Sequence, residues 1–155
     1  MSREPESFHS KSEAETEAVG RDLARELAPY DVVYLTGDLG VGKTAFARGL
    51  AAGLGAVARE VASPTFAILH EYAAPGGAIV MRHLDLYRLA DGPEDLEVLG
   101  LPGAVAGAPI AVEWPRSAIR EALPPTREVA MTRAPDGTRR IAIRRLPAPK
   151  SRAAP

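Results

Sequence analysis

Tyr34-Leu-Thr-Gly-Asp-Leu-Gly-Val-Gly-Lys-Thr-Ala-Phe46 carries three structural instructions in one short stretch. It opens on the run Val32 to Thr36, a continuous β-favouring segment bounded by turn residues, as a buried strand of a parallel sheet would be. From Lys43 onward, Phe46, Leu50 and Leu54 recur at helical spacing until Gly55 stops the run. Between the two lies Gly37-x-x-x-x-Gly42-Lys43-Thr44, which satisfies the P-loop pattern. In such a loop the glycines let successive backbone N–H groups curl round a phosphate, the lysine reaches the β and γ oxygens, and the threonine hydroxyl binds magnesium. The chain uses sixteen arginines and only three lysines, yet it has lysine at the position where a compact point charge must fit against a triphosphate.

The remainder of the chain is arranged around this unit. Its 155 residues, 46% of them hydrophobic, suffice for one core, so a single domain over 1–155 is expected, with ragged ends at about 1–9 and 147–155. Ser12-Glu-Ala-Glu15 has the capping-box pattern and predicts an amphipathic helix over residues 13–28. The β-prone runs 66–72 and 78–84 flank Ala74-Pro-Gly-Gly77 and predict a hairpin. Residues 91–100 read as a short helix, 109–113 as a buried strand, and 129–133 with 138–144 as a closing hairpin around Ala134-Pro-Asp-Gly137. The expected fold is therefore α/β and P-loop NTPase-like. Its central sheet is mostly parallel with antiparallel hairpin additions, and helices lie on both faces.

Composition narrows the function classes. There is no apolar run of membrane-spanning length and no basic-then-apolar leader, which predicts a soluble cytoplasmic protein. Zero cysteines exclude disulfides, thiolate metal sites and a cysteine nucleophile. The charge is uneven: residues 1–31 carry eight acids against four bases, and residues 115–155 carry ten bases against three acids. That basic end suits a solvated arginine-rich hairpin, or a surface that meets nucleic acid or an acidic partner. The chain has no asparagine, so it lacks the Asn-Lys-x-Asp motif that reads guanine, and no glutamine to orient water as Ras-like GTPases do. ATP is the expected nucleotide. A P-loop also needs an acid at the end of an apolar strand, and two are available, Asp85 after Ile79-Val-Met-Arg-His-Leu and Glu113 after Ile110-Ala-Val. His83 shares a strand face with Asp85, and both metal ligation and packing suit it.

Four fragments in order, Gly37-Asp-Leu-Gly-Val-Gly-Lys-Thr44, Ser63-Pro-Thr-Phe66, His83-Leu-Asp-Leu-Tyr-Arg88 and Glu113-Trp-Pro115, resemble the TsaE (YjeE) family over roughly residues 10–145. These are the small bacterial ATPases of the tRNA threonylcarbamoyladenosine pathway. The resemblance implies that Gly37, Asp38, Leu39, Gly40, Val41, Gly42, Lys43, Thr44 and Ala45 hold ATP. It implies that Thr44 and Glu113 coordinate Mg2+, and that Asp85, with Lys43, is essential for hydrolysis. Thr65 then sits where a switch-like loop would sense the γ-phosphate, and Trp114 lies near the nucleotide. Residues around Ser10 to Thr16 help cover the adenine, while Arg88 suits either charge stabilisation or an ion pair with the acidic 91–97 stretch. Val41 stands where the family commonly has alanine. The implied role is an accessory ATPase, weak alone, that acts with TsaB and TsaD as they modify adenosine 37 of ANN-decoding tRNAs and touches tRNA only through that complex. The resemblance further implies that hydrolysis resets the complex between turnovers. A small-molecule P-loop kinase and a nucleotide-dependent binding module are the alternatives.

Overall fold

A computed structural model describes residues 3–57, 60–62, 69–87 and 107–149. Along the chain these form β1 (Glu6–Ser10), α1 (Glu13–Ala24), β2 (Val32–Thr36), α2 (Lys43–Gly53), β3 (Glu60–Ala62), β4 (Leu69–Ala73), β5 (Ile79–Asp85), β6 (Ile110–Glu113), α3 (Ser117–Ala122), β7 (Arg127–Arg133) and β8 (Arg139–Arg145). All eight strands join one sheet in the order β1-β8-β7-β2-β6-β5-β4-β3. The central four, β7-β2-β6-β5, are parallel to one another, and the strands outside them pair antiparallel. The expected mixture of a parallel centre with antiparallel additions is therefore present.

Alternation along β2 explains why helices are needed on both sides. Val33 and Leu35 belong to one apolar cluster, with Phe46 and Leu50 of α2 and Leu23 of α1. Val32 and Tyr34 belong to a second, with Ile119 of α3, Leu123, Val112 and Leu84. Tyr34 is fully buried, and its hydroxyl donates to the Leu123 carbonyl at 2.7 Å, which ties α3 to the sheet.

Helices α1 and α2 approach so closely that side chains are excluded at the contact. A Cβ on Gly53 would lie 2.7 Å from the Arg21 carbonyl oxygen, and one on Gly49 would fall well inside the Glu17 carbonyl. Arg48 of α2 then pairs with Glu13 at 2.6 Å and Glu17 at 3.3 Å along the same seam.

Several boundaries differ from expectation for identifiable reasons. Helix α1 ends at Ala24 rather than 28, because Pro29 disfavours helical geometry at Ala28, whose N–H instead donates to Asp31 Oδ2 at 2.7 Å. The N-terminal residues are not ragged throughout: Glu6–Ser10 form an edge strand antiparallel to β8, with Phe8 opposite Ile141. The closing hairpin is longer than its expected bounds, and α3 and β3 were not anticipated. The expected helix at 91–100, together with Ser63 to Phe66 and Arg88, lies outside the described residues.

Candidate nucleotide site

The register of the parallel strands sets Leu35, Glu113 and Asp85 abreast at their C-terminal ends, immediately before the glycine-rich loop. In sheets of this type that edge is where ligands bind. The loop itself depends on glycine at two positions. Gly42 has φ +118 and caps α2 in the left-handed region, while Gly37 has φ +143 and a Cβ there would stand 2.5 Å from the Met131 carbonyl.

The two long helices start differently. The first turn of α1 is capped by protein groups, the Glu15 N–H donating to Ser12 Oγ at 3.1 Å and the Lys11 N–H to Glu15 Oε2 at 2.6 Å. The first turn of α2 has no side-chain cap and no acidic residue. Its free N–H groups and positive dipole end face the loop, an arrangement suited to an anion.

Lys43 opens α2. Its ammonium donates to the Gly37 carbonyl and stands 3.6 Å from the centroid of the Trp114 ring. Burial pulls its pKa below the usual amine range, against the attraction of Glu113, Asp85 and Asp38. Trp114 is the one non-glycine residue with positive φ, +56, among the described residues, and its ring also meets Tyr87 at 5.0 Å between centroids.

Glu113 is buried, 4% exposed, and its Oε1 accepts the Thr44 hydroxyl at 3.3 Å. His83 Nε2 lies 3.2 Å from the same oxygen, at ion-pair distance but off hydrogen-bond alignment. Burial opposes ionisation of Glu113, yet the contacts of His83, Lys43 and Thr44 outweigh it and hold the carboxyl below its ordinary range. Thr44 and Glu113 thus present an oxygen-only donor pair of the kind a hard divalent cation takes. Asp85 Oδ1 accepts the Tyr87 N–H at 3.0 Å.

Lys43, Thr44, Asp85, Glu113 and Trp114 share one cavity of about 280 Å³. Of the residues expected at the site, Leu39, Gly40, Gly42, Lys43, Thr44, Ala45, Asp85, Glu113 and Trp114 line it. Gly37 lies beneath Lys43, Val41 is buried in the core, and the Asp38 carbonyl accepts the Val41 N–H at 3.2 Å as part of the loop's turn. Thr65 lies outside the described residues. Glu13, within the segment expected to cover the adenine, also lines the cavity, whereas sequence reasoning missed two wall residues, Tyr87 and Arg139. The signal for Arg139 was available, since it alternates in phase with Ile141 and Ile143 and so belongs to the inward face of its strand. His83 is buried, 4% exposed, and no group of three His, Asp or Glu side chains placed to hold a metal ion occurs among the described residues.

The family described as "Threonylcarbamoyl adenosine biosynthesis protein TsaE" matches residues 10–141. The tRNA threonylcarbamoyladenosine biosynthesis protein TsaE of Bacillus subtilis is 43% identical over 129 residues, covering 82% of this chain and 77% of that protein. The protein of the same name from Streptomyces coelicolor is 38% identical over 103 residues, covering 66% and 69% respectively. The crystal structure of Bacillus subtilis YdiB superposes with a TM-score of 0.69 at 30% identity, covering 95% of this chain and 88% of that one. No helix among the described residues is long and apolar enough to cross a membrane.

Proposed function

The chain belongs to the TsaE family of threonylcarbamoyl adenosine biosynthesis proteins, and from that premise we propose that it is a Mg2+-dependent ATPase serving tRNA threonylcarbamoyladenosine formation as an accessory to TsaB and TsaD. Its place in that pathway and a nucleotide-binding P-loop fold follow from the family and the fold. The observation that carries the rest is the convergence of Thr44, Glu113 and Asp85 on one cavity with Lys43.

In this reading the unsatisfied N–H groups of the loop and of the first turn of α2 hold the phosphate oxygens of ATP. Lys43 leaves the Gly37 carbonyl and pairs with the terminal phosphates, where its buried position strengthens the attraction. Thr44 and Glu113 hold Mg2+, which when bound offsets the charge on the phosphates. Asp85, at the end of β5, orients the attacking water and accepts its proton. Trp114 and Tyr87 form an aromatic wall beside Lys43 that limits water on that side. No second-substrate pocket is required, because the product of the cycle is a changed nucleotide state that alters an interface with TsaB and TsaD. The whole chain then acts as a single P-loop domain in the cytoplasm, meeting tRNA only through that complex.

The test is phosphate release from ATP and Mg2+ by the purified chain, alone and with TsaB–TsaD. Slow release that the partners accelerate is expected. Asp85→Ala is expected to lower turnover by about 100- to 10,000-fold, the range of a positioned acid or base, while ATP binding stays within a few-fold of wild type. Persistent turnover in that variant refutes the role of Asp85, and transfer of phosphate to a metabolite in place of water refutes the ATPase reading.

A further inference from the structure

Strand β8 turns one row of side chains, Arg139, Ile141, Ile143 and Arg145, toward the face that α1 and α2 cover. The arginines at the two ends of this row have opposite environments. Arg145, at the end away from the loop, is neutralised by Glu26, at 2.5 and 2.8 Å, and by Glu6 at 3.0 Å. Arg139, at the loop end opposite Ser10 and Arg133, has no carboxylate partner among the described residues. Its Nε is buried and makes no hydrogen bond.

Arg139 instead forms part of the nucleotide cavity wall. Its side chain lies over Gly42, so near that a Cβ there would meet Arg139 Cδ and Nε at 3.5 Å. The neighbouring Arg133 is engaged elsewhere, donating to the Gly40 carbonyl at 3.1 Å. In the sheet order, β8 and β7 lie on one side of β2, whereas β6 and β5, which supply Glu113 and Asp85, lie on the other. The cavity therefore has an acidic wall for a cation and, across the loop, a wall bearing an unpaired guanidinium. A buried N–H without a partner is costly, and an arginine fork matches the geometry of phosphate oxygens.

We propose that Arg139 is a phosphate ligand of the bound nucleotide, gripping the diphosphate portion from the flank opposite Thr44 and Glu113. This rests on the nucleotide reading given above and adds a residue to it that the P-loop pattern does not contain. Because Arg139 stands away from the proposed metal side, its contribution is to ADP as well as ATP and does not depend on magnesium.

The experiment is calorimetric titration of the full chain with ADP and with inorganic pyrophosphate, each in EDTA and in Mg2+. Arg139→Ala is expected to weaken ADP about 10- to 100-fold in both conditions, the worth of a charge-assisted hydrogen bond, and to weaken pyrophosphate by a similar factor. Arg139→Lys, which keeps the charge without the fork, recovers part of the loss. Arg144→Ala, on the outward face of the same strand, leaves both affinities unchanged. Thermal unfolding of each variant establishes that it folds, and Arg139→Gln takes the place of the alanine variant if the latter does not. ADP affinity unchanged within about twofold overturns the proposal. So does a loss confined to ADP with pyrophosphate unaffected, since that result moves the guanidinium to the base. A wild-type chain that binds neither ADP nor ATP refutes the nucleotide reading itself, and this proposal with it.

Discussion

Replacing Glu113 by glutamine separates the proposed metal role of this side chain from its structural one. The amide keeps the shape of the carboxylate and an oxygen to accept the Thr44 hydroxyl, now at 3.3 Å, but removes the negative charge from a position only 4% exposed. Hydrogen bonds to a charged group are worth about 1.5–3 kcal/mol and neutral ones about 0.5–1.5. A ligand reduced from anion to amide therefore forfeits roughly 1–1.5 kcal/mol, or about 5- to 13-fold in the Mg2+ concentration that half-saturates ATP binding. Calorimetric titration of ATP across a Mg2+ series reads this directly. ADP affinity in EDTA should stay within about threefold of wild type, because no metal is then held. The variant also leaves burial acting on Lys43 with one fewer compensating carboxylate, so the lysine pKa moves further down. The pH behaviour has a definite sign. The Glu113 carboxyl is depressed below its ordinary value of 4.5, so its contribution to stability is present above that value and is lost as pH falls through the folded pKa. The stability difference between wild type and variant should shrink below pH 4.5. An unchanged Mg2+ dependence would refute the assignment of Glu113 to the metal.

Two further perturbations test the scaffold. Gly49→Ala forces α1 and α2 apart, since the new methyl meets the Glu17 backbone; overpacking costs about 1–3 kcal/mol and helix propensity returns up to about 1. A fall in melting temperature of about 2–8 °C is expected by calorimetry, and a rise would mean that the helices do not touch there. Arg145→Met removes the guanidinium whose hydrogen bond, with smaller electrostatic help from Arg127, holds the Glu26 carboxyl below its ordinary value of 4.5. The pair is about one-third exposed, so the loss is limited to about 0.5–1 kcal/mol. Denaturant titrations should find it at neutral pH and find it gone as pH falls well below 4.5.

The parts of the molecule legible in the sequence are those whose cause is local. Strand β2, the loop and α2 follow from a run of β-branched residues, three glycines and an apolar repeat, all within about two dozen positions. Asp85 and Glu113 were found because each ends an apolar strand, and parallel register then sets them side by side. What escaped depends on distant partners. Residues 6–10 are polar and mostly exposed, and they become a strand because β8 offers its edge more than a hundred positions later. Helix α3 has six residues and a single buried one, Ile119, too few for a period to emerge. The glycines of the α1–α2 seam looked like ordinary helix residues, since nothing in one helix reveals how near another will come. Arg139 was grouped with a basic surface because net charge along a segment does not distinguish the two faces of a strand.

The pairing of β1 with β8 has a practical consequence. Glu6 lies opposite Ile143, so the first and last strands begin and finish side by side, while Ser10 and Arg139 meet at the opposite end, next to the loop. The outer ends of both strands therefore leave the sheet away from the cavity. Tags or surface tethers attached at either side stay clear of the nucleotide. The same proximity makes the chain a candidate for circular permutation, with a short linker joining those ends and new termini opened in the turn at Gly76 and Gly77, remote from the P-loop. A permutant of that kind would keep β2, α2 and the C-terminal hairpin continuous and leave the phosphate grip intact.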